Sequence, residues 1–143
     1  MAAKKTKVDP AKTLAAHVID TGLKEVPEAS LDATRRDVLD TFGSMLGGSG
    51  APGINELVSV NGRWGGLRES SLAVIGGKMP AHHAAMINSA MGHALDFDDT
   101  YDKGGHVHPG TSVIAASLAI AESVGGDSGG WLVSCGIRGD KVA

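Results

Sequence analysis

Glycine and proline divide this chain into short segments, and in most of them the apolar residues recur at helical spacing. Asp9-Pro10 begins the first segment, since aspartate is a favoured N-cap and proline suits the first helical position, and Gly22 ends it. The same pattern predicts three more helices: from Pro27 to Gly47-Gly48, from Pro80 to Leu95, and around Val113 to Ala121. The chain is therefore predicted to fold mainly as helices.

Two stretches between these helices are less regular. Ile54 to Val60 is weakly apolar and is closed by Asn61-Gly62, while Ser70 to Ile75 is a short β-prone run before Gly76-Gly77. We predict an all-α fold, or nearly so, with at least four helices and at most one short strand. In the second helix, the residues predicted to face the core are Leu39, Phe42 and Leu46.

Small side chains dominate the apolar residues. The chain has 143 residues, a one-domain length, and contains 21 glycines but only 3% aromatic residues. This composition favours close-packed helices and offers few large side chains for a protein-binding hot spot. The net charge of −3 gives no general field for nucleic acid, so no nucleic-acid partner is expected.

The compartment is predicted from the cysteine count and the apolar runs. Cys135 is the only cysteine, which excludes an internal disulfide framework. The basic start is followed by no apolar signal region, and the run from Val113 to Ala121 is about half the length that spans a bilayer. We therefore expect a cytoplasmic protein without a membrane partner.

The character of the chain changes near its end. Residues 127–143 are rich in glycine and show no clear period. We predict a helical domain over residues 1–126, followed by a divergent glycine-rich tail over residues 127–143.

Polar residues are concentrated between the last two predicted helices. Residues 93–108 hold three imidazoles, four carboxylates, a threonine hydroxyl and an ammonium group. Carboxylates beside histidines can transfer protons near neutral pH. The same composition also fits a solvated loop whose aspartates cap helices, and the residues alone leave both interpretations open.

Several motifs resemble the MmgE/PrpD family. The run HALDFDDT at residues 93–100, followed by His108-Pro109-Gly110 and an alanine-rich helix ending at Ala121-Glu122, is similar to that family in order and context. The resemblance extends upstream and covers roughly residues 12 to 126. The further segments that carry it are Val38 to Gly43, Ala73 to Lys78 and Ala84 to Ala94.

This resemblance implies a lyase that acts on small di- or tricarboxylic acids by acid/base chemistry, without a cofactor or a metal. Relatives dehydrate 2-methylcitrate, decarboxylate cis-aconitate or epimerise an imino-diacid, and the family likeness also suggests a homo-oligomer. His108 would be the acid/base or carboxylate-binding group, Asp96 its partner and Thr100 a hydrogen-bonding ligand. His106 could take the place of His108. The substrate-binding residues would be His106, Lys103 and His93.

The resemblance also implies that this chain holds only the N-terminal, helical part of such an enzyme. Relatives run to several hundred residues, and their further catalytic histidine and lysines lie beyond Ala143. We therefore expect little or no turnover from these residues alone, and self-association through the segments from Ala84 to Leu95 and from Val113 to Val124. The alternative function is an inactive helical remnant that only self-associates or docks onto a partner.

A different function is suggested by Asp98-Asp99-Thr100-Tyr101-Asp102, which fits the DDxxD pattern of Mg²⁺-dependent isoprenoid synthases. Carboxylates at these positions share one face of a helix and can hold a metal ion. Gly104-Gly105 would break such a helix at once, and the chain has few aromatic residues to line a prenyl cavity. This interpretation is the weaker one.

Overall fold

Helices form most of the part of the chain that the structure, a computed structural model, describes: residues 9–101, 105 and 107–125. These residues hold five α-helices and one two-stranded sheet. The helices are α1 (Pro10–Asp20), α2 (Glu28–Gly48), α3 (Ile54–Trp64), α4 (Ala81–His93) and α5 (Pro109–Ser123), with a 3-10 turn at Leu23–Glu25. The strands are β1 (Ser70–Ser71) and β2 (Lys78–Met79). The predicted fold class is confirmed.

Local sequence signals set the helix ends. The Asp9 carboxylate accepts a hydrogen bond from the backbone amide of Ala11 at 3.0 Å, as an N-cap does, and Pro10 occupies the first position of α1. Prolines also precede α2 and α4 directly. The helix starts predicted at Asp9-Pro10, Pro27 and Pro80 are therefore confirmed.

The segment around Asn61-Gly62 differs from the prediction. These residues lie inside α3, which continues to Trp64 and ends at Gly65, whose φ is 70°. Asn61 is buried, and its side-chain amide donates to the Leu57 carbonyl oxygen at 2.8 Å, which satisfies the side chain locally. The predicted stop at Asn61-Gly62 was wrong: the helix continues through both residues, and the Asn61 side chain bonds to the backbone of the same helix.

The β-prone run predicted near Ser70 is half of a small antiparallel sheet. Ser70 pairs with Met79 and Ser71 with Lys78. The sheet is fastened to α5, since Ser70 donates to the Ala119 carbonyl oxygen, and the Ser71 hydroxyl lies 2.8 Å from the Glu122 carboxylate. β2, which we did not predict, supplies the partner strand.

α4 lies at the centre of the packing, in contact with α2, α3, α5 and both strands. Its residues Ala84, Ile87 and Met91 have no exposed surface. Other members of the core are Met45, Ile54, Leu72, Ala81, Ala115 and Ala119. The small side chains let the helices approach closely. Within the described residues, no helix is both long and apolar enough to cross a membrane.

The face of α2 that contacts the core is not the predicted one. Leu39, Phe42 and Leu46 are 75%, 36% and 66% exposed, so this prediction was wrong. α2 instead buries Thr34, Thr41, Met45 and Gly48. This face is buried because α2 crosses α4 closely at Gly48. A β-carbon at position 48 would lie 2.0 Å from the Met91 carbonyl oxygen. The face of α2 that carries Gly48 is therefore the one that packs on α4.

Candidate functional site

The turn after α4 reverses the chain towards the start of α5. Asp96 adopts a left-handed backbone conformation with φ of 56°, and its amide donates to the His93 carbonyl oxygen at 3.1 Å. Aspartate tolerates this conformation better than most residues. Tyr101, after the DFDDT motif, is joined to Val107, just before α5: its amide donates a hydrogen bond to the Val107 carbonyl oxygen at 2.9 Å. The DFDDT motif therefore lies beside the first turn of α5.

Asp99 caps α5 from outside that helix. Both of its carboxylate oxygens accept from the Gly110 amide, at 2.9 and 3.1 Å. A β-carbon at position 110 would lie 2.3 Å from Asp99 Oδ1, so only glycine permits this approach. Burial raises the pKa of Asp99, the Gly110 hydrogen bond lowers it, and the nearby Asp98 charge raises it again, with a net increase.

Asp98 is the buried carboxylate of the site, with a side chain that has no exposed surface. His93 Nδ1 lies 3.1 Å from each of its oxygens, and the Thr111 hydroxyl donates to it at 3.0 Å. Burial alone would raise the pKa of Asp98, but hydrogen bonds from His93, from its own backbone and from Thr111 lower it on balance. Asp98 is therefore held as a carboxylate.

His108 lies between two carboxylates. Its Nδ1 is 3.5 Å from Asp98 Oδ1, and its Nε2 is 3.6 Å from Asp96 Oδ1. Both distances are long for hydrogen bonds but short for charge attraction. The Nδ1 atom is buried and has no hydrogen-bond partner among the described residues. A protonated His108 would be attracted by both neighbours, which suits an imidazole that exchanges protons.

An open cleft of about 320 Å³ gives access to this cluster. The side chains of α4 and α5 face each other across it, and the His93 and His108 rings lie 4.7 Å apart. The cleft is lined by Ser89, His93, Val107, His108, Thr111 and Ser112. Its volume lies within the usual range for small-molecule sites. A small ligand can reach both imidazoles and hydroxyl donors from one side.

The structure brings together three of the residues predicted from the sequence, His93, Asp96 and His108. Thr100 is exposed and forms no hydrogen bond within the described ranges, while Lys103 and His106 lie outside the described residues. Sequence reasoning missed Asp98 and Thr111 as members of the site. The adjacent aspartates in DFDDT were the available signal, but their partners are fixed only when α5 packs on α4.

The same cluster has the composition of a metal site. His93, Asp96, Asp98 and His108 each offer one ligand atom, and these atoms lie within 4.8 Å of one another. Imidazole and carboxylate ligands suit Zn²⁺ and related divalent ions. In the structure these side chains contact one another: His93 Nδ1 lies 3.1 Å from the Asp98 carboxylate, and His108 Nε2 lies 3.6 Å from that of Asp96.

The DDxxD interpretation does not fit the local structure. Residues 98–101 are not helical, so the carboxylates do not share a helix face. Asp98 faces His93 and Thr111, and Asp99 faces the Gly110 amide. Asp102 lies outside the described residues.

The described part of the chain is thus a mostly helical domain with two histidines and two aspartates clustered beside one cleft. The sequence profile of the MmgE/PrpD N-terminal domain matches residues 12–138, and the chain belongs to this family. No individual curated protein matches the chain significantly.

Replacing Asp98 with asparagine is expected to lower the free energy of unfolding by about 1–3 kcal/mol at neutral pH, since a buried charged acceptor is lost. Because the folded pKa of Asp98 is below its ordinary value of 3.8, its stabilisation is present above that value and disappears as the pH falls through the folded pKa. Urea unfolding at neutral and at acid pH measures the difference, which should shrink in acid.

Asp32 provides the matched control for this measurement. It is half exposed and pairs with Arg35 on the surface of α2. Asp32→Asn should change stability by less than about 1 kcal/mol. An equal loss for both variants, or a loss for Asp98→Asn that does not depend on pH, would contradict the assigned role of Asp98.

Proposed function

We propose that this domain binds small di- or tricarboxylic acids in the cleft between α4 and α5 and moves a proton through His108. The observation that carries this proposal is the position of His108, between the exposed Asp96 and the buried Asp98 at the wall of the cleft. Membership of the MmgE/PrpD family supports it, because that family contains lyases acting on such acids.

The proposed chemistry follows from the charges of the site. Asp98, held as a carboxylate, faces His108 Nδ1 from the buried side at 3.5 Å. In a dehydration, His108 as a base removes a proton from the carbon next to a substrate carboxylate and returns it to the leaving hydroxyl group, which departs as water. In a decarboxylation, carbon dioxide leaves and His108 as an acid protonates the resulting carbanion. In the dehydration the imidazole ends with the protons it began with, whereas in the decarboxylation it gives one proton to the product and regains it from water.

Substrate binding is proposed to use the cationic and hydroxyl groups around the cleft. His93 and the hydroxyls of Ser89 and Ser112 line it directly. Thr100, Lys103 and His106, which the family resemblance implies as ligands, are proposed to complete the set. A protonated imidazole and several hydroxyl donors suit the carboxylate groups of the substrate.

The test is calorimetric binding together with turnover of cis-aconitate and 2-methylcitrate by the chain, with and without a chelator. We expect binding that requires His108 and is unchanged by chelation. Turnover would support both parts of the proposal, the substrate class and the proton transfer. Binding without turnover would support the substrate class alone. If neither acid binds, or if binding depends on a metal that the chelator removes, the proposal fails.

A second candidate function, self-association, is favoured by an apolar groove on α2. The groove has a volume of about 460 Å³ and is lined by Leu39, Asp40, Gly43, Ser44, Gly47, Leu95 and Phe97. Leu39 and Phe97 are 75% and 78% exposed. The faces of α4 and α5, which we expected to be left uncovered, pack largely against each other. We propose a second copy of the chain as the partner of the groove.

Sedimentation equilibrium tests this second candidate. We expect the chain to form dimers that Leu39→Gln together with Phe97→Gln dissociates. Ile19→Gln is the control, since Ile19 is 82% exposed on α1 and does not line the groove. A monomeric wild-type chain, or equal effects of groove and control substitutions, would rule the groove out as the interface.

A further inference from the structure

A second pocket lies at the opposite end of α4 from the cluster of His93, Asp96, Asp98 and His108. It has a volume of about 260 Å³ and is lined by Asn61, Gly62, Gly65, Gly66, Arg68, Lys78, Met79 and Pro80. Pro80 directly precedes α4, and His93 is the last residue of that helix. Because a helix rises 1.5 Å per residue, the two sites are separated by roughly 18–20 Å.

Glycine residues shape this pocket. Gly65 and Gly66 have φ values of 70° and 117°, which L side chains rarely adopt. A β-carbon at Gly66 would lie 2.6 Å from Pro80 Cγ, so the loop can pass over Pro80 only as glycine. This glycine loop therefore forms the wall of the pocket next to the start of α4.

Two cations line the pocket without a carboxylate partner in the described part of the chain. Arg68 forms no ion pair there, and Lys78 Nζ donates only to the Glu69 carbonyl oxygen, at 3.2 Å. The neighbouring Glu69 carboxylate accepts from the Ala81 amide at the start of α4. The lining set contains no acidic side chain. The charge of the pocket is therefore positive.

Asn61 adds an unsatisfied acceptor to the pocket wall. The residue is 1% exposed, and its Nδ2 donates to Leu57, which fixes the orientation of the amide. Its Oδ1 is buried and has no hydrogen-bond partner in the part of the protein that is described. An acceptor beside two cations suits a ligand that carries a hydroxyl donor as well as negative charge.

We propose that this pocket binds a small oxyanion that also carries a hydroxyl group. Arg68 and Lys78 bind the oxyanion, and Asn61 Oδ1 accepts a hydrogen bond from the hydroxyl group after a small shift of the wall. Both a hydroxy polycarboxylate and a phosphate ester of a polyol have this chemistry. The site is separate from the cleft at His108 and does not depend on the function proposed for it.

Isothermal titration of the chain with citrate and with glycerol 3-phosphate, at low salt, tests the proposal. We expect dissociation constants on the order of 1 mM or tighter. Tricarballylate and propyl phosphate, which lack the hydroxyl, should bind several-fold more weakly, by about the value of one hydrogen bond. Tighter binding of the acid or of the ester identifies which of the two sources the pocket prefers.

Substitutions assign the binding to the pocket. Arg68→Gln combined with Lys78→Gln should weaken binding by about tenfold, as expected for two partly solvated charges. Arg36→Gln, which removes an exposed charge from α2, should leave it unchanged. The proposal is overturned if the wild-type chain binds neither probe, if the double variant binds equally well, or if the hydroxyl makes no difference.

Discussion

Replacing His108 with asparagine is expected to lower the rate of any turnover of cis-aconitate or 2-methylcitrate by roughly 10²–10⁴-fold, the range for removal of a general acid or base. The asparagine amide can still face the buried Asp98, which lies 3.5 Å from His108 Nδ1, so the fold should be retained. What is lost is the group that takes up and returns the proton. Initial rates at saturating substrate measure the effect.

The control for this variant is His82→Asn. His82 is exposed on α4 and is not part of the cluster around Asp98. It should retain the wild-type rate. An equal loss of activity in the two histidine variants would show that the effect is not specific to His108. If His108→Asn raises KM without changing kcat, then His108 binds substrate and does not transfer the proton.

Gly48→Ala is expected to lower the free energy of unfolding by about 2–3 kcal/mol, because overpacking at a tight contact forces the backbone to move. The added β-carbon would lie 2.0 Å from the Met91 carbonyl oxygen and 3.1 Å from Ala94 Cβ. The nearest atom belongs to the backbone of α4, so no side-chain rotation relieves the clash. Urea unfolding measures the change.

Gly43→Ala, on the same helix, should have the opposite effect. A β-carbon at position 43 would meet no atom within 4 Å. Alanine is favoured over glycine in a helix interior by about 0.5–1 kcal/mol, so this variant should be more stable than the wild type. Similar losses for both variants would show that the α2–α4 crossing is looser than the structure indicates.

The helix starts were predictable because their causes are local. Proline before α2 and α4, and the Asp9 cap of α1, act within a few residues of the chain. The buried face of α2 was not predictable in this way. Leu39, Phe42 and Leu46 have helical spacing, but the crossing distance to α4 decides which face is buried, and that distance depends on Gly48 and the residues opposite it.

The candidate site shows the same division. The motif around Asp96 and His108 identified the segment, because residue types and family resemblance are properties of the sequence. The roles of Asp98 and Asp99 depend on the approach of α5, which brings Thr111 and Gly110 to them. Adjacent aspartates of the same type therefore acquire pKa shifts in opposite directions, and no periodicity in the chain distinguishes them.

Asp96 has a consequence for attempts to engineer this domain. Its φ of 56° is a conformation in which glycine is favoured over any residue with a β-carbon. A procedure that selects substitutions for thermal stability would therefore choose Asp96→Gly and gain on the order of 1 kcal/mol. That choice would remove the carboxylate that lies 3.6 Å from His108 Nε2. At position 96, selection for thermal stability favours glycine, whereas the proposed proton transfer requires aspartate. Position 96 should therefore be held fixed in any library of stabilised variants.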